Sequence, residues 1–231
     1  MPEVTVGSTS EYLAVPAGPP PGPWPGVVVI HESWGLNADI RAHADRLAAQ
    51  GYLAMAPDLY RGRSFVRCLR SVFQQLHAGT GPAFDLLNEA RVALAARPDC
   101  TGKIGVLGFC MGGGFALLCA PRGGFSAASV NYGEVPDDAA RVLAGSCPIV
   151  ASYGARDQMG IEPPRRLEAA LTTLDVPHDL KVYPGAGHSF MSTKPSWLTP
   201  LARLVRLDYK PEAAEDSWHR ILAFFGAHLQ S

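Results

Sequence analysis

From Val27 onward, short apolar runs rich in β-branched residues alternate with longer stretches whose apolar positions recur every three or four residues. The runs Val27 to Ile30, Tyr52 to Ala56, Lys103 to Leu107, Ala127 to Asn131, Ile149 to Tyr153 and Asp179 to Tyr183 have the length and content of strands. Between and after them, Asp39 to Gln50, Ala83 to Ala96, Met111 to Ala120, Asp138 to Leu143, Pro163 to Leu174 and Glu212 to Leu229 read as helices. In the last, Trp218, Ile221, Leu222 and Phe225 share one face, which predicts packing on a sheet. This alternation predicts an α/β fold, a mostly parallel central sheet with helices on both faces. Ahead of it, Val4 to Val6 and Tyr12 to Val15 read as two strands joined by a turn, a short antiparallel N-terminal edge. The Pro- and Gly-rich segment 17–26 reads as a loop feeding the first buried strand.

A chain of 231 residues with 47% hydrophobic content can bury one substantial core, so residues 1–231 are read as a single domain. The net charge of −1, without a block of like charges, lacks the footprint of a nucleic-acid or anionic-membrane binder. A small-molecule partner is expected, acted on by a monomer or homodimer. No run is long enough to span a bilayer and no basic segment leads into an apolar one at the N-terminus, so the expected location is cytoplasmic. Cys68, Cys100, Cys110, Cys119 and Cys147 have no paired spacing, which argues against a disulfide framework or a zinc knuckle. Cys119, on an apolar helix, reads as a packing residue.

Cys110 stands apart. Lys103 to Leu107 is a strand, Gly108-Phe109-Cys110-Met111-Gly112 a sharp turn, and an apolar helix follows. That is the setting of the G-x-S-x-G nucleophile elbow with Cys in place of Ser, and it points to an α/β-hydrolase fold. The glycines remove Cβ atoms that would crowd a strained turn, and the helix N-terminus favours negative charge at the sulfur and at an oxyanion beside it. A phosphate-binding loop is the competing reading, but the G-x-G-x-x-G spacing is not met and no Lys-Ser/Thr pair follows, so no cofactor is expected.

An acid and a base follow the elbow in the chain order of an α/β-hydrolase. Asp157 lies just past the strand Ile149 to Tyr153, and His188 ends the loop Pro184-Gly-Ala-Gly-His after the strand Asp179 to Tyr183. His188 would take the thiol proton and return it to the leaving oxygen, with Asp157 holding the imidazole tautomer. A free thiol of pKa about 8.5 is only partly ionised at neutral pH, so a neighbouring imidazolium favours thiolate. His43, His178, His219 and His228 have no partner motif and read as surface or packing groups, as does His77 in a segment with no clear element.

The first parallel strand ends in His31-Glu32-Ser33-Trp34-Gly35, placing a carboxylate where strand ends face a site. A zincin H-E-x-x-H would need histidine at the position of Gly35, so no metal site is expected. Together His31-Glu32, Pro57-Asp58-Leu59-Tyr60, Gly108-Phe-Cys-Met-Gly-Gly113 and Gly185-Ala-Gly-His-Ser-Phe190 resemble the dienelactone hydrolase (carboxymethylenebutenolidase) family over nearly the whole chain. The resemblance implies a Cys110, His188 and Asp157 triad, an acyl-enzyme on Cys110, and a Glu32 that contacts the resting thiol and helps generate thiolate. It also implies an oxyanion hole from the backbone amides of Ser33 and Met111.

The resemblance breaks where substrate carboxylate is held. Ser192 stands where the family places an arginine after the histidine loop, and none of Arg61, Arg63, Arg67 or Arg70 aligns with the second, so that stretch reads as a solvated basic loop. Trp34, Phe109, Tyr132 and Phe190 flank the catalytic loops and predict an apolar pocket for a small neutral or aryl ester. The leading expectation is a hydrolase of a carboxylic ester or lactone. A thioesterase or acyltransferase using the same site, and a non-catalytic binding protein that retains the fold, are the alternatives.

Overall fold

The computed structural model describes residues 3–6, 9–17, 23–62, 65–193 and 209–230. Among the described residues eight strands form one sheet: β1 (Glu3–Val6), β2 (Thr9–Ala14), β3 (Trp24–Ile30), β4 (Leu53–Pro57), β5 (Cys100–Phe109), β6 (Ala127–Asn131), β7 (Ile149–Gly154) and β8 (His178–Tyr183). Their spatial order is β1-β2-β4-β3-β5-β6-β7-β8. β1 pairs with β2 and β2 with β4 in antiparallel fashion, and the remaining neighbours are parallel. The order reverses between β3 and β5, where Ile30 sits opposite Gly108. Loops that leave two adjacent strands in opposite directions open a crevice at their carboxyl ends, and this is where α/β sheets bind ligands.

Both sheet faces are covered, so most central strand positions are apolar without alternation. Val28, Ile30, Ile104 and Val106 pack under α2 (Phe65–Ala78), α3 (Pro82–Ala95), α4 (Met111–Cys119), α5 (Ala139–Val142) and α6 (Glu162–Thr173). Val27, Val29, Leu107 and Phe109 pack under α1 (Ala38–Ala49) and α7 (Pro211–Leu229). Trp218, Ile221 and Phe225 of α7 are buried as its periodicity requires. Local signals set the helix starts. The Asn37 side chain accepts from Ile40 N at 3.1 Å, and prolines open α3 and α7.

Two expectations are corrected. The loop expected over 17–26 gives way at Trp24, where β3 already begins; its ladder slips between Trp24 and Gly26, around Pro25, which has no N–H to donate. The solvated basic loop is a helix from Phe65, because Val72 and Leu76 are buried and Leu69 and Phe73 pack against the core at helical spacing, with Arg70, Ser71, Gln74 and Gln75 between them. Arg70 is exposed on that helix, and Arg61 sits on the preceding turn at φ 53°, on the wall of a cleft of about 330 Å³. Arg63 and the side chain of Arg67 lie outside the described residues. His77 ends the same helix, 3.1 Å from Glu134. Among the described residues no helix is long and apolar enough to cross a membrane.

Candidate active site

Cys110 is the single residue between the end of β5 and the start of α4, at φ 53° and ψ −119°. Such a conformation costs a non-glycine residue on the order of 1–3 kcal/mol and persists only where the surroundings impose it. They do so here through hydrogen bonds. Cys110 N–H donates to Asn131 O at 3.0 Å, Gly114 N–H to Cys110 O at 3.2 Å, and Asn131 Nδ2 to Gly108 O at 3.1 Å. The flanking glycines are contact points: a Cβ on Gly108 would lie 1.9 Å from Gly112 O, and one on Gly112 would lie 2.4 Å from Ile30 O. The elbow is therefore wedged against the end of β3, and the half-buried sulfur is presented at the start of α4. By contrast Cys119 and Cys147 have thiols pushed by burial up to about 12, which leaves them inert.

Asp157 and His188 converge because β7 and β8 are neighbours. Arg156 N–H donates to Ala186 O at 2.8 Å, and Gly154 lies so close to the histidine loop that a Cβ there would be 2.5 Å from Ala186 O and Gly187 O. His188 Nδ1 donates to Asp157 Oδ2 at 2.7 Å, while Asp157 Oδ1 accepts from Met159 N–H at 3.0 Å. Since Nδ1 is engaged by Asp157, the hydrogen bond of His188 to Cys110 runs through Nε2. Burial disfavours the imidazolium, but hydrogen bonds to Asp157 and Cys110 and their negative charge outweigh it and push His188 up to about 10.

Glu32 is buried just past the end of β3. Ser192 Oγ donates to Glu32 Oε1 at 2.8 Å and lies 3.1 Å from the hydroxyl of Tyr132, which also hydrogen-bonds Glu32. Burial and the charge of Glu32 raise Tyr132 well above the usual tyrosine range, so its hydroxyl keeps its proton. The ring of Tyr132 stands edge-on to His188, with centroids 5.2 Å apart, and to Phe190 at 5.5 Å. Glu32, Tyr132, Ser192, His188 and Cys110 thus form one cluster built from four loops.

Other sequence-derived positions fall in different places. Met111 opens α4 beside the sulfur, Ser33 is half-buried, and Trp34 is 51% exposed on the same loop. Phe109 instead turns into the core, where it stacks on His43 at 4.5 Å and packs near Trp218, because β5 alternation points it away from Cys110. Tyr132 and Phe190 are likewise fully buried. Sequence reasoning missed Tyr60, whose hydroxyl donates to Ser33 O at 2.7 Å, and Asn131, which braces the elbow. The Pro57-Asp58-Leu59-Tyr60 motif was the available signal for the first; the second sits inside an ordinary strand run and left none.

A mostly parallel sheet with a sharp strand-turn-helix elbow on a central strand, and an aspartate and a histidine on later loops in order, defines an α/β-hydrolase fold. Comparison with known proteins narrows this. The sequence pattern of the dienelactone hydrolase family matches residues 10–229. Carboxymethylenebutenolidase of Pseudomonas putida is 29% identical over 217 residues, covering 86% of this chain and 90% of that protein. Among solved structures, a dienelactone hydrolase-like promiscuous phosphotriesterase from metagenomic libraries superposes with a TM-score of 0.76 at 25% identity, over 98% of this chain and 96% of the other. Esterase 2 of Thermogutta terrifontis, phosphorylated by paraoxon, shares the fold with a TM-score of 0.69 at 19% identity, over 94% and 88%. The chain belongs to the dienelactone hydrolase family. It is a hydrolase of the carboxylic ester and lactone class.

Proposed function

We propose that Cys110, His188 and Asp157 act as a triad that cleaves a neutral carboxylic ester or lactone through an acyl-enzyme on Cys110. The observation that carries it is the unbroken hydrogen-bond chain from Asp157 through His188 to Cys110, drawn from three separate loops. The sulfur attacks the acyl carbon, and the carbonyl oxygen takes up negative charge opposite the backbone amides of Ser33 and Met111. His188, protonated at neutral pH, delivers its Nε2 proton to the leaving oxygen as the C–O bond breaks. Acylation then removes the Cys110 charge and hydrogen bond that held the imidazole pKa up. Left neutral by that transfer, His188 accepts a proton from water, whose oxygen attacks the thioester; the C–S bond breaks, the acid is released and the proton returns to the departing sulfur.

The substrate class follows from Ser192. A guanidinium there would bind a substrate carboxylate; a neutral hydroxyl already committed to Glu32 offers no such partner. The site is therefore read as one for a neutral acyl group. Cys110→Ala should lower p-nitrophenyl acetate turnover at least about 10³-fold. A rate unchanged in that variant would sink the assignment.

A further inference from the structure

Both ring nitrogens of His31 are engaged by backbone. Leu59 N–H donates to Nε2 at 3.0 Å, so that nitrogen carries a bare lone pair. Nδ1 therefore holds the ring hydrogen and donates it to the Glu32 carbonyl at 2.6 Å. The ring is wholly buried, and burial holds its pKa below the ordinary histidine value against the opposing pull of the Glu32 carbonyl and of Asp58, 3.7 Å away. A neutral ring with its hydrogen on Nδ1 satisfies both contacts; no other form does.

The carbonyl that receives this hydrogen bond shares one rigid peptide plane with the N–H of Ser33. A donor on the oxygen fixes the direction of that N–H and draws density from it, which makes it a stronger donor. Gly35 N–H adds a second donor to the same oxygen at 3.1 Å. On the far side of Ser33, the Tyr60 hydroxyl holds its carbonyl at 2.7 Å, and the Tyr60 ring lies 5.0 Å from His31.

We propose that His31 is a positioning residue that aims and polarises the Ser33 amide as an oxyanion-hole donor, with Tyr60 securing the other side of the same residue. The inference rests on the acyl-transfer reading of Cys110. Charge reaches the substrate oxygen only after the sulfur attacks, so the contribution falls on kcat and leaves KM nearly unchanged.

Two substitutions separate this role from mere support. Asparagine places its amide nitrogen where Nδ1 stands and keeps the bond to Glu32; glutamine reaches the Nε2 position and keeps only the bond from Leu59. With p-nitrophenyl acetate, His31→Gln should lose about tenfold to hundredfold in kcat with KM within about twofold, and His31→Asn should stay within about threefold of wild type. Alkylation of Cys110 by iodoacetamide, which puts no charge on a carbonyl oxygen, should proceed at the wild-type rate in both. Equal losses in the two variants, or alkylation that falls in step with hydrolysis, would overturn the proposal. So would wild-type hydrolysis by His31→Gln while Cys110→Ala is inactive; turnover surviving in Cys110→Ala would overturn the site reading as well. Should the variants not fold, ¹⁵N NMR of the wild-type imidazoles decides. A neutral ring protonated on Nδ1 throughout pH 6–8 is expected, and the opposite tautomer or a titration in that range would refute it.

Discussion

The Ser192 hydroxyl, 2.8 Å from Glu32 Oε1 and 3.1 Å from the Tyr132 hydroxyl, converts a single-residue departure from the family pattern into a statement about substrate. Two neutral hydroxyls hold the buried carboxylate, and neither can bind a second anion. Placing a guanidinium there should reverse this. Ser192→Arg is expected to raise kcat/KM for an ester with a carboxylate-bearing acyl group over its neutral counterpart by about tenfold or more, since a hydrogen bond to a charged group is worth roughly 1.5–3 kcal/mol. An unchanged ratio in a variant that keeps its thermal midpoint would show that Ser192 does not set the preference. The sequence marked position 192 through the resemblance, and what fills the gap became visible only once Tyr132 and Glu32 were brought beside it.

At the level of elements, the strands and helices were legible because each buries apolar positions at its own period, and the elbow because its glycines have a fixed spacing. Two features were not. The helix Phe65–Ala78 was hidden by arginines at 63, 67 and 70, which drew attention to charge and away from the apolar residues at 65, 69, 72, 73 and 76. Gly154 looked like an ordinary strand-end residue, yet it is where β7 and the histidine loop touch. Gly154→Ala should push Asp157 and His188 apart and lower kcat by more than about tenfold, because positioning errors near 1 Å have effects of that order or larger. Circular dichroism should stay close to wild type; turnover at the wild-type level would show that the contact is not needed.

For the whole molecule, stability carries a pH dependence that arises far from the site. Glu11 on β2 is fully buried, and among the described residues neither of its oxygens has a hydrogen-bond partner. Burial, with the charge of Glu89 on α3 adding to it, raises its carboxyl to about 7 from 4.5. A carboxyl that holds its proton more tightly when folded contributes stability that is complete below pH 4.5 and lost as pH rises through 7. Glu11→Gln removes that loss. Its stability relative to wild type should grow between pH 5 and pH 8 by up to about 3 kcal/mol in urea titrations, and a difference that does not change with pH would show that Glu11 ionises normally.

The sequence by itself marked the alternation of strands and helices, the helix over 65–78 excepted, and singled out Cys110, His188 and Asp157 as candidates, because periodicity and turn chemistry are local and act within a few residues. Tertiary structure decided everything that depends on distance between loops. It joined Asp157 to His188, gave Ser192 to Glu32, turned Phe109 into the core, and brought Leu59 to the ring of His31. Those contacts come from the register of neighbouring strands, set by a sheet buried on both faces, and no stretch of the chain encodes them alone.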